Sequence, residues 1–482
     1  MELEKRSLYC VRIQVVLFLF TLIALLITLL CSNEYTHDMF LWVCRIGFVS
    51  IVIESILLVW QQKRMVTIIN IFFLLFCLFQ FGIPICFALD KNYYTYHLLN
   101  FTDEILVKAA VYTTLSMSLL ATSFSVFLAH MKRIPENNLF IRSSALNDNQ
   151  IVTSVAKTIF ILTSLVVLPL YLYVACLSLS HGFSQQIRGL LSSSNLFNIA
   201  RAFFFCSGIS YLCYNHEHQQ NKLNKVIEGL IVFSIVLTFF IGARGEGLTW
   251  LVAYFYGKNI IIKEDKRRKE WLYILALFLL ALVSVAIAEI RSGSGIADVL
   301  RGSVLNKFIS ELGFNFTSIC YMMLYTPKTL KFQVGYTYIL SFLSLIPNTI
   351  DFLGISKYFR SQLPIYTLAE LLHRDFHGSL DFGVGFSFNA EAFYNFSWFG
   401  ILMAIPLAAF LVWTEREDDI EKNDWNKYVK IIIFRNLLMF PRQVSFEFID
   451  SILYQIVFIA IIILMWNIAY KKWNIACKKR RI

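Results

Sequence analysis

The chain has 482 residues, of which 57% are apolar and only 16% charged, and its mean hydropathy is +0.63. Soluble domains carry roughly 25% charged residues, so no aqueous core can absorb this much apolar sequence, and the ten-residue alternation of an outer-membrane barrel is absent. The net charge of +11 does not point to nucleic acid, because it gathers in short loops on one side of the apolar runs, where membrane topology alone would place it.

Taken in chain order, runs of bilayer length fall at 11–31, 41–60, 66–89, 107–130, 152–179 and 196–214. The first is too long and too apolar for a cleaved signal peptide, so it reads as a retained span. Two shorter runs, 226–241 and 247–262, flank the glycine-rich turn Gly242-Ala243-Arg244-Gly245-Glu246-Gly247. Then come 271–288, a long interruption at 289–386, and further runs at 387–413, 428–440 and 448–470. Lipid offers no water to unpaired backbone groups, so each span is predicted to be a helix. The expectation is an all-α, polytopic membrane protein of about twelve spans, by the length a bilayer requires. Three parts follow: spans one to nine over 1–288, an extracytoplasmic loop domain over 289–386, and the last three spans with a basic tail over 387–482.

Charge orients this stack. With the N-terminus in the cytoplasm, the inner segments hold Lys63 and Arg64, Lys132 and Arg133, the run Lys266-Arg267-Arg268-Lys269, and Lys478-Lys479-Arg480-Arg481. The outer short loops hold only Lys91, Arg188, Arg244 and Arg442. That bias places both termini inside and the long loop outside. The ten cysteines are scattered with no CxxC pair and read as small hydrophobes.

Several polar residues stand out against this background. Arg244 sits in a turn that glycines tighten, at the expected depth of lipid phosphates, where a guanidinium can bind a phosphate bidentately. The alternative is an arginine that snorkels to headgroups. Arg291, just past a span, is a second cation at that depth, and two cations suit a pyrophosphate better than one. Arg188 and Arg301 are weaker candidates of the same kind. Arg435 lies inside an apolar run with Arg442 just beyond it, and an arginine inside a span normally faces a partner or a cavity. Glu391 and Asn395 are four apart, so on a helix they share one face. Glu391 can act there as a base, line a polar wall, or simply favour a helix N-terminus. His373 and His377 can remove a proton from a sugar hydroxyl near neutral pH; no third ligand is spaced to make them a metal site.

Three segments together resemble the Wzy-type O-antigen and capsular polysaccharide polymerases, the oligosaccharide repeat unit polymerases. They are IGARGEG at Ile241–Gly247, SLIPN at Ser344–Asn348, and GSLDFGVGFSFNAEAFYNFSWFG at Gly378–Gly400. The glycine usual after Asn-Phe is Ser397 here. An Arg-x10-Gly pattern fits Arg291 to Gly302, and also Arg374 to Gly385.

The resemblance implies a GT-C-like membrane glycosyltransferase, inverting and without metal or other cofactor, in the bacterial cytoplasmic membrane. It would move a glycan from undecaprenyl pyrophosphate onto the next lipid-linked repeat unit. Arg244, Arg291, Arg435, Arg442 and Asn395 would bind pyrophosphate or sugar, and His377, His373 or Glu391 would take the acceptor proton. The implied partners are undecaprenyl-pyrophosphate-linked oligosaccharides, the lipid bilayer, a chain-length regulator and a flippase. An O-antigen ligase would share the layout, whereas a flippase would place ionisable groups near mid-bilayer and usually show internal repeats. No such repeat is visible.

Overall fold

A computed structural model of the chain describes residues 2–30, 34–93, 96–131, 149–181, 195–215, 222–241, 244–261, 304–345, 354–375, 386–415 and 424–479. Among these residues the fold is all-helical, with no strand. Seven stretches are long and apolar enough to cross a membrane: Arg6–Leu30, His37–Gln62, Ile68–Leu89, Asp103–His130, Gln150–Ser178, Phe388–Thr414 and Ser445–Tyr470. The runs expected at 196–214, 226–241, 247–262 and 428–440 are also helical, as Asn195–Asn215, Lys222–Ile241, Arg244–Ile261 and Asp424–Met439. The run at 271–288 lies outside the described residues. The chain is a multi-pass membrane protein, and it divides into two compact units.

The first unit comprises Met1–Pro135, Leu305–Glu415 and Leu437–Asp450. It holds α1 (Glu2–Leu30), α2 (His37–Gln62), α3 (Ile68–Leu89) and α4 (Asp103–Met131). Thr36 caps α2 at the amide of Met39, and Thr67 caps α3 at the amide of Asn70. Each thereby satisfies a donor that the first helical turn leaves open. In lipid, apolar burial alone does not pull helices together, so small and polar side chains set their register. Here a polar seam joins α1, α2 and α4. Ser7, Gln14 and Thr21, seven apart on α1, are all buried. They meet Gln61 at 3.0 Å, the Glu54 carbonyl at 3.4 Å and Ser50 at 3.3 Å on α2. From α4, Ser118 donates to the Glu54 carboxylate and Ser125 to Gln61.

Five shorter helices of the long interruption follow in this unit: α9 (Val304–Leu312), α10 (Phe316–Tyr325), α11 (Tyr336–Leu343), α12 (Ile355–Ser361) and α13 (Pro364–Asp375). A single 3-10 turn, Gly313–Asn315, joins α9 to α10. That turn lies directly on α3: a Cβ on Gly82 would come 2.7 Å from the Gly313 Cα, and one on Gly313 would come 2.5 Å from the Ile83 amide. Only two glycines permit backbones to approach so closely. From Phe316 to Met322 every residue of α10 is buried, with Phe316 beside Phe40 and Phe81 and Tyr321 beside Phe101.

The chain then forms α14 (Phe388–Phe396), a 3-10 segment over Ser397–Met403, and α15 (Ala404–Thr414). The apolar stretch is therefore not one straight helix. Ser397 takes φ 53°, and the chain folds back so far that a Cβ on Gly400 would lie 2.5 Å from the Ala392 carbonyl carbon. In an unbroken helix those residues would stand about 12 Å apart.

The second unit comprises Glu136–Val304, Arg416–Asn436 and Ser451–Ile482. It holds α5 (Asn149–His181), α6 (Asn195–Asn215), α7 (Lys222–Ile241) and α8 (Arg244–Ile261). It also holds most of α16 (Asp424–Met439) and α17 (Ser445–Lys479). Stacked aromatics build its core, Phe160 on Phe204 at 4.9 Å and Phe205 on Trp250 at 4.8 Å.

Replacing Gly313 with leucine overpacks the α3 contact, and such changes typically cost about 1–3 kcal/mol. The expected outcome is a lower thermal midpoint in detergent for Gly313→Leu, with Gly354→Leu as the comparison because open space surrounds that glycine. Its left-handed φ of 67° still adds some strain there, so equal losses from both variants would show that the α3 contact contributes nothing special.

Candidate functional site

Two polar clusters stand out, one in each unit. The first centres on Glu391, which is 1% exposed. Ser387 opens α14 as its N-cap, accepting from the Ala390 amide at 3.2 Å and from Ser318 of α10 at 2.8 Å. One turn later Glu391 points into the unit. Its Oε1 accepts from Thr337 of α11 at 2.9 Å and from the Ser445 hydroxyl at 2.7 Å, and its Oε2 accepts from the Ser445 amide at 2.7 Å. One carboxylate therefore ties α11, α14 and the first residue of α17 together. Charge-assisted bonds of this kind are the strong ones.

Asn395 shares the helix face, as its spacing predicts. It donates to Thr337 at 2.6 Å and to the Glu391 carbonyl at 2.8 Å. Backbone amides of Gln333 and Val334 reach the carbonyls of Tyr394 and Asn395 at 3.1 and 2.9 Å, which satisfies the open end of α14. Ser341 adds a bond to Ser445 at 2.9 Å. Asn389, from the same motif, accepts from Ser116 of α4 at 2.8 Å. Both Glu391 and Asn395 thus face protein groups.

The second cluster surrounds the glycine-rich turn. Arg244 is the first residue of α8. Two residues on, Glu246 pairs with Arg201 of α6 at 3.0 Å. Arg435 of α16 lies 4.8 Å over the Trp250 ring of α8 and donates to Asn436 at 2.7 Å. A cation over an indole face is favoured by the ring quadrupole. Arg435 is also within electrostatic reach of Glu246, Arg201 and Tyr171 of α5. One guanidinium thus pairs with the carboxylate at the N-terminal end of α8 and a second lies within its electrostatic reach; the helix dipole there favours negative charge. Among the described residues, Arg435 Nε and Trp250 Nε1 are buried donors with no acceptor. Buried donors are rarely left open without a reason such as a ligand or water.

The sequence-predicted residues separate accordingly. Arg435 joins the second cluster, whereas Arg442, seven residues on, belongs to the first unit, over the Phe79 ring at 5.5 Å and near Glu447. His373 is exposed in the last turn of α13, next to Arg374, which bonds Asp375 at 3.0 Å. Tyr325 also donates to Asp375, at 2.7 Å. Arg291 and His377 lie outside the described residues, as do Arg188 and Arg301. Arg201 is a residue that sequence reasoning missed. Its signal was an arginine within the apolar run 196–214, the kind of signal that singled out Arg435.

Glu391→Ala leaves a backbone amide and two hydroxyls without their acceptor, each worth about 1–3 kcal/mol when buried. Glu391→Gln keeps one acceptor oxygen and turns an NH2 group toward a remaining donor. The expected order of thermal midpoints is wild type, then Gln, then Ala, read by unfolding in detergent. A wild-type midpoint for Glu391→Ala would show that the carboxylate does not hold these helices.

A family model described as O-antigen polysaccharide polymerase Wzy matches residues 9–473. No curated protein sequence and no solved structure gives a match. The match runs from within α1 to near the end of α17 and includes both polar clusters. The chain belongs to the O-antigen polysaccharide polymerase Wzy family.

Proposed function

We propose that the protein polymerises oligosaccharide repeat units carried on undecaprenyl pyrophosphate, at the outer face of the bacterial cytoplasmic membrane. The observation that carries this reading is the pair Arg201 and Arg435 around Glu246, at the glycine-rich start of α8. The acceptor hydroxyl attacks the anomeric carbon of the donor glycan, and the bond from that carbon to the pyrophosphate oxygen breaks with inversion. The electron pair leaves on the pyrophosphate. Arg201, Arg435 and Arg244 stabilise that charge, and Arg291 completes the set. Fixed cations in a site that excludes water act strongly on developing charge.

The acceptor proton passes to His377 or His373. Of the three base candidates, Glu391 suits this step least, because both its oxygens already accept hydrogen bonds from the protein. Its role is to hold α14 in place, together with Asn395 on the same helix face. No metal or nucleotide enters this scheme, since the sugar arrives activated on its carrier. The wider arrangement we propose has about twelve spans, a count that the run lengths and the loop charge support. Both termini are cytoplasmic, the architecture is GT-C-like, and a flippase and a chain-length regulator act as partners.

Arg201→Ala and Arg435→Ala are each expected to leave the protein inserted and to lower turnover about 10²–10³-fold, the usual loss when one stabilising donor is removed. Arg244→Ala and Arg291→Ala should do the same. The measurement is the glycan chain-length ladder together with membrane fractionation. Normal ladders from all four would refute the pyrophosphate assignment. Deletion of the gene should limit surface glycan to a single repeat unit; accumulation of lipid-linked units only on the cytoplasmic face would identify a flippase instead.

A further inference from the structure

Depth within the first unit can be read from α3 and α4. The end where α3 finishes and α4 begins is the end that the charge bias places outside. Asn389 bonds Ser116, which lies about 20 Å along α4 from its first residue at 1.5 Å per residue. Phe388 packs edge-on against Phe76, which lies about 20 Å before the end of α3. Farther along α14, Phe393 meets Tyr112, only about 14 Å along α4. Two independent helices thus put the start of α14 deep in the unit, and its next turns nearer that same end. The hydrocarbon core is about 30 Å thick, so the start of α14 is close to the middle of the membrane. The chain reverses at Ser397 and Gly400 before α15 begins.

The α9–α10 hairpin behaves similarly. Asn306 sits at Cys86 and Tyr93, Gly313 at Gly82, and Tyr321 at Phe101. The chain therefore descends along α3 by about 10 Å and returns. Ser318 of this hairpin bonds Ser387 at the start of α14.

The outer side of this assembly is apolar. Val334 (78% exposed), Ile339, Phe342 and Leu343 line one part, and Phe399 (76% exposed) and Leu402 the other. No charged residue occurs over 334–345, and over 386–414 only Glu391 does, turned inward. Phe399 and Leu402 belong to the apolar stretch Phe388–Thr414, and Lys331 and Asp351 are the nearest charged residues in sequence on either side of α11. In a membrane protein such a charge-free face is covered by lipid.

We propose that α14, which carries the FNAEAFYNF motif, is a re-entrant half-helix. It starts near the middle of the membrane and rises toward the face bearing the long loop. The 3-10 segment that follows it, with Phe399 and Leu402, and the outer residues of α11 present a charge-free surface to lipid acyl chains. The sequence motif therefore lies inside the membrane, against an intramembrane hairpin, and is not the aqueous lip of an ordinary crossing. This stands independently of the glycosyl transfer reading.

The test uses the full-length protein reconstituted in lipid vesicles, with a fluorophore on cysteines introduced singly at Ile339, Phe399 and Lys357. The protein with only its native cysteines serves as background, and every variant is checked for insertion. Nitroxides attached to the lipid acyl chains should quench the label at Ile339→Cys and Phe399→Cys and spare it at Lys357→Cys. Equal water exposure at all three positions would overturn the proposal. Direction is read by oxidative cross-linking: Ser116→Cys with Asn389→Cys should link, and Glu104→Cys with Asn389→Cys should not. The reverse result would restore a straight crossing and sink the half-helix. Failure of Ser116→Cys to link with Asn389→Cys would likewise overturn the half-helix.

Discussion

A buried carboxylate without water must find its donors in the protein, and Glu391 finds three on two other segments. Much of the first unit's arrangement follows from that requirement. Thr337 must stand on a face of α11, Ser445 must open α17 with both its amide and its hydroxyl free to donate, and α14 must be short enough to bring Glu391 between them. The cost of leaving such a group unpaired in an apolar setting greatly exceeds that of an ordinary surface contact. The clamp is therefore a constraint on geometry more than a source of net stability, because two well-packed apolar groups could fill the same space at no greater cost.

The rest of the first unit is consistent with a protein that cannot rely on apolar burial to choose its register. Ser7, Gln14 and Thr21 on α1 find polar partners on α2, and Ser118 and Ser125 on α4 complete the seam. Glycines supply the second device. Gly82 with Gly313, and Gly400 with Ala392, let backbones touch where any side chain would separate them. Together these contacts decide where short helices may fold back within the thickness of the unit. The second unit solves a different problem, because it pairs Arg201 with Glu246 and keeps Arg201 and Arg435 over aromatic faces. Among the described residues, Arg435 Nε and Trp250 Nε1 there have no acceptor, whereas both carboxylate oxygens of Glu391 are occupied.

Much of this was legible in the residues. Within the described residues the apolar runs predicted helices where helices occur, Glu391 and Asn395 share a face as their spacing requires, and Arg435 lies in a polar cluster as an arginine within an apolar run should. Other features were not legible. Arg201 drew no attention because one cation near the start of a span has an ordinary explanation as an interfacial anchor. The break within 387–413 was not legible, because hydropathy counts composition and is blind to the φ of Ser397. Arg435 and Arg442 read as a pair because they are neighbours in the chain, yet they fall in different units.

The sequence by itself determined that this is a helical, multi-pass membrane protein, since lipid admits no other way to satisfy the backbone of so apolar a chain. Its short motifs also sufficed to indicate the polymerase family. Only the tertiary structure decided that Glu391 is held by Thr337 and Ser445, that Arg201 meets Glu246, and that Gly313 rests on Gly82. Each of these contacts joins residues far apart in the chain. Their pairing depends on which helices pack side by side and at what depth, and local composition and periodicity carry no record of that.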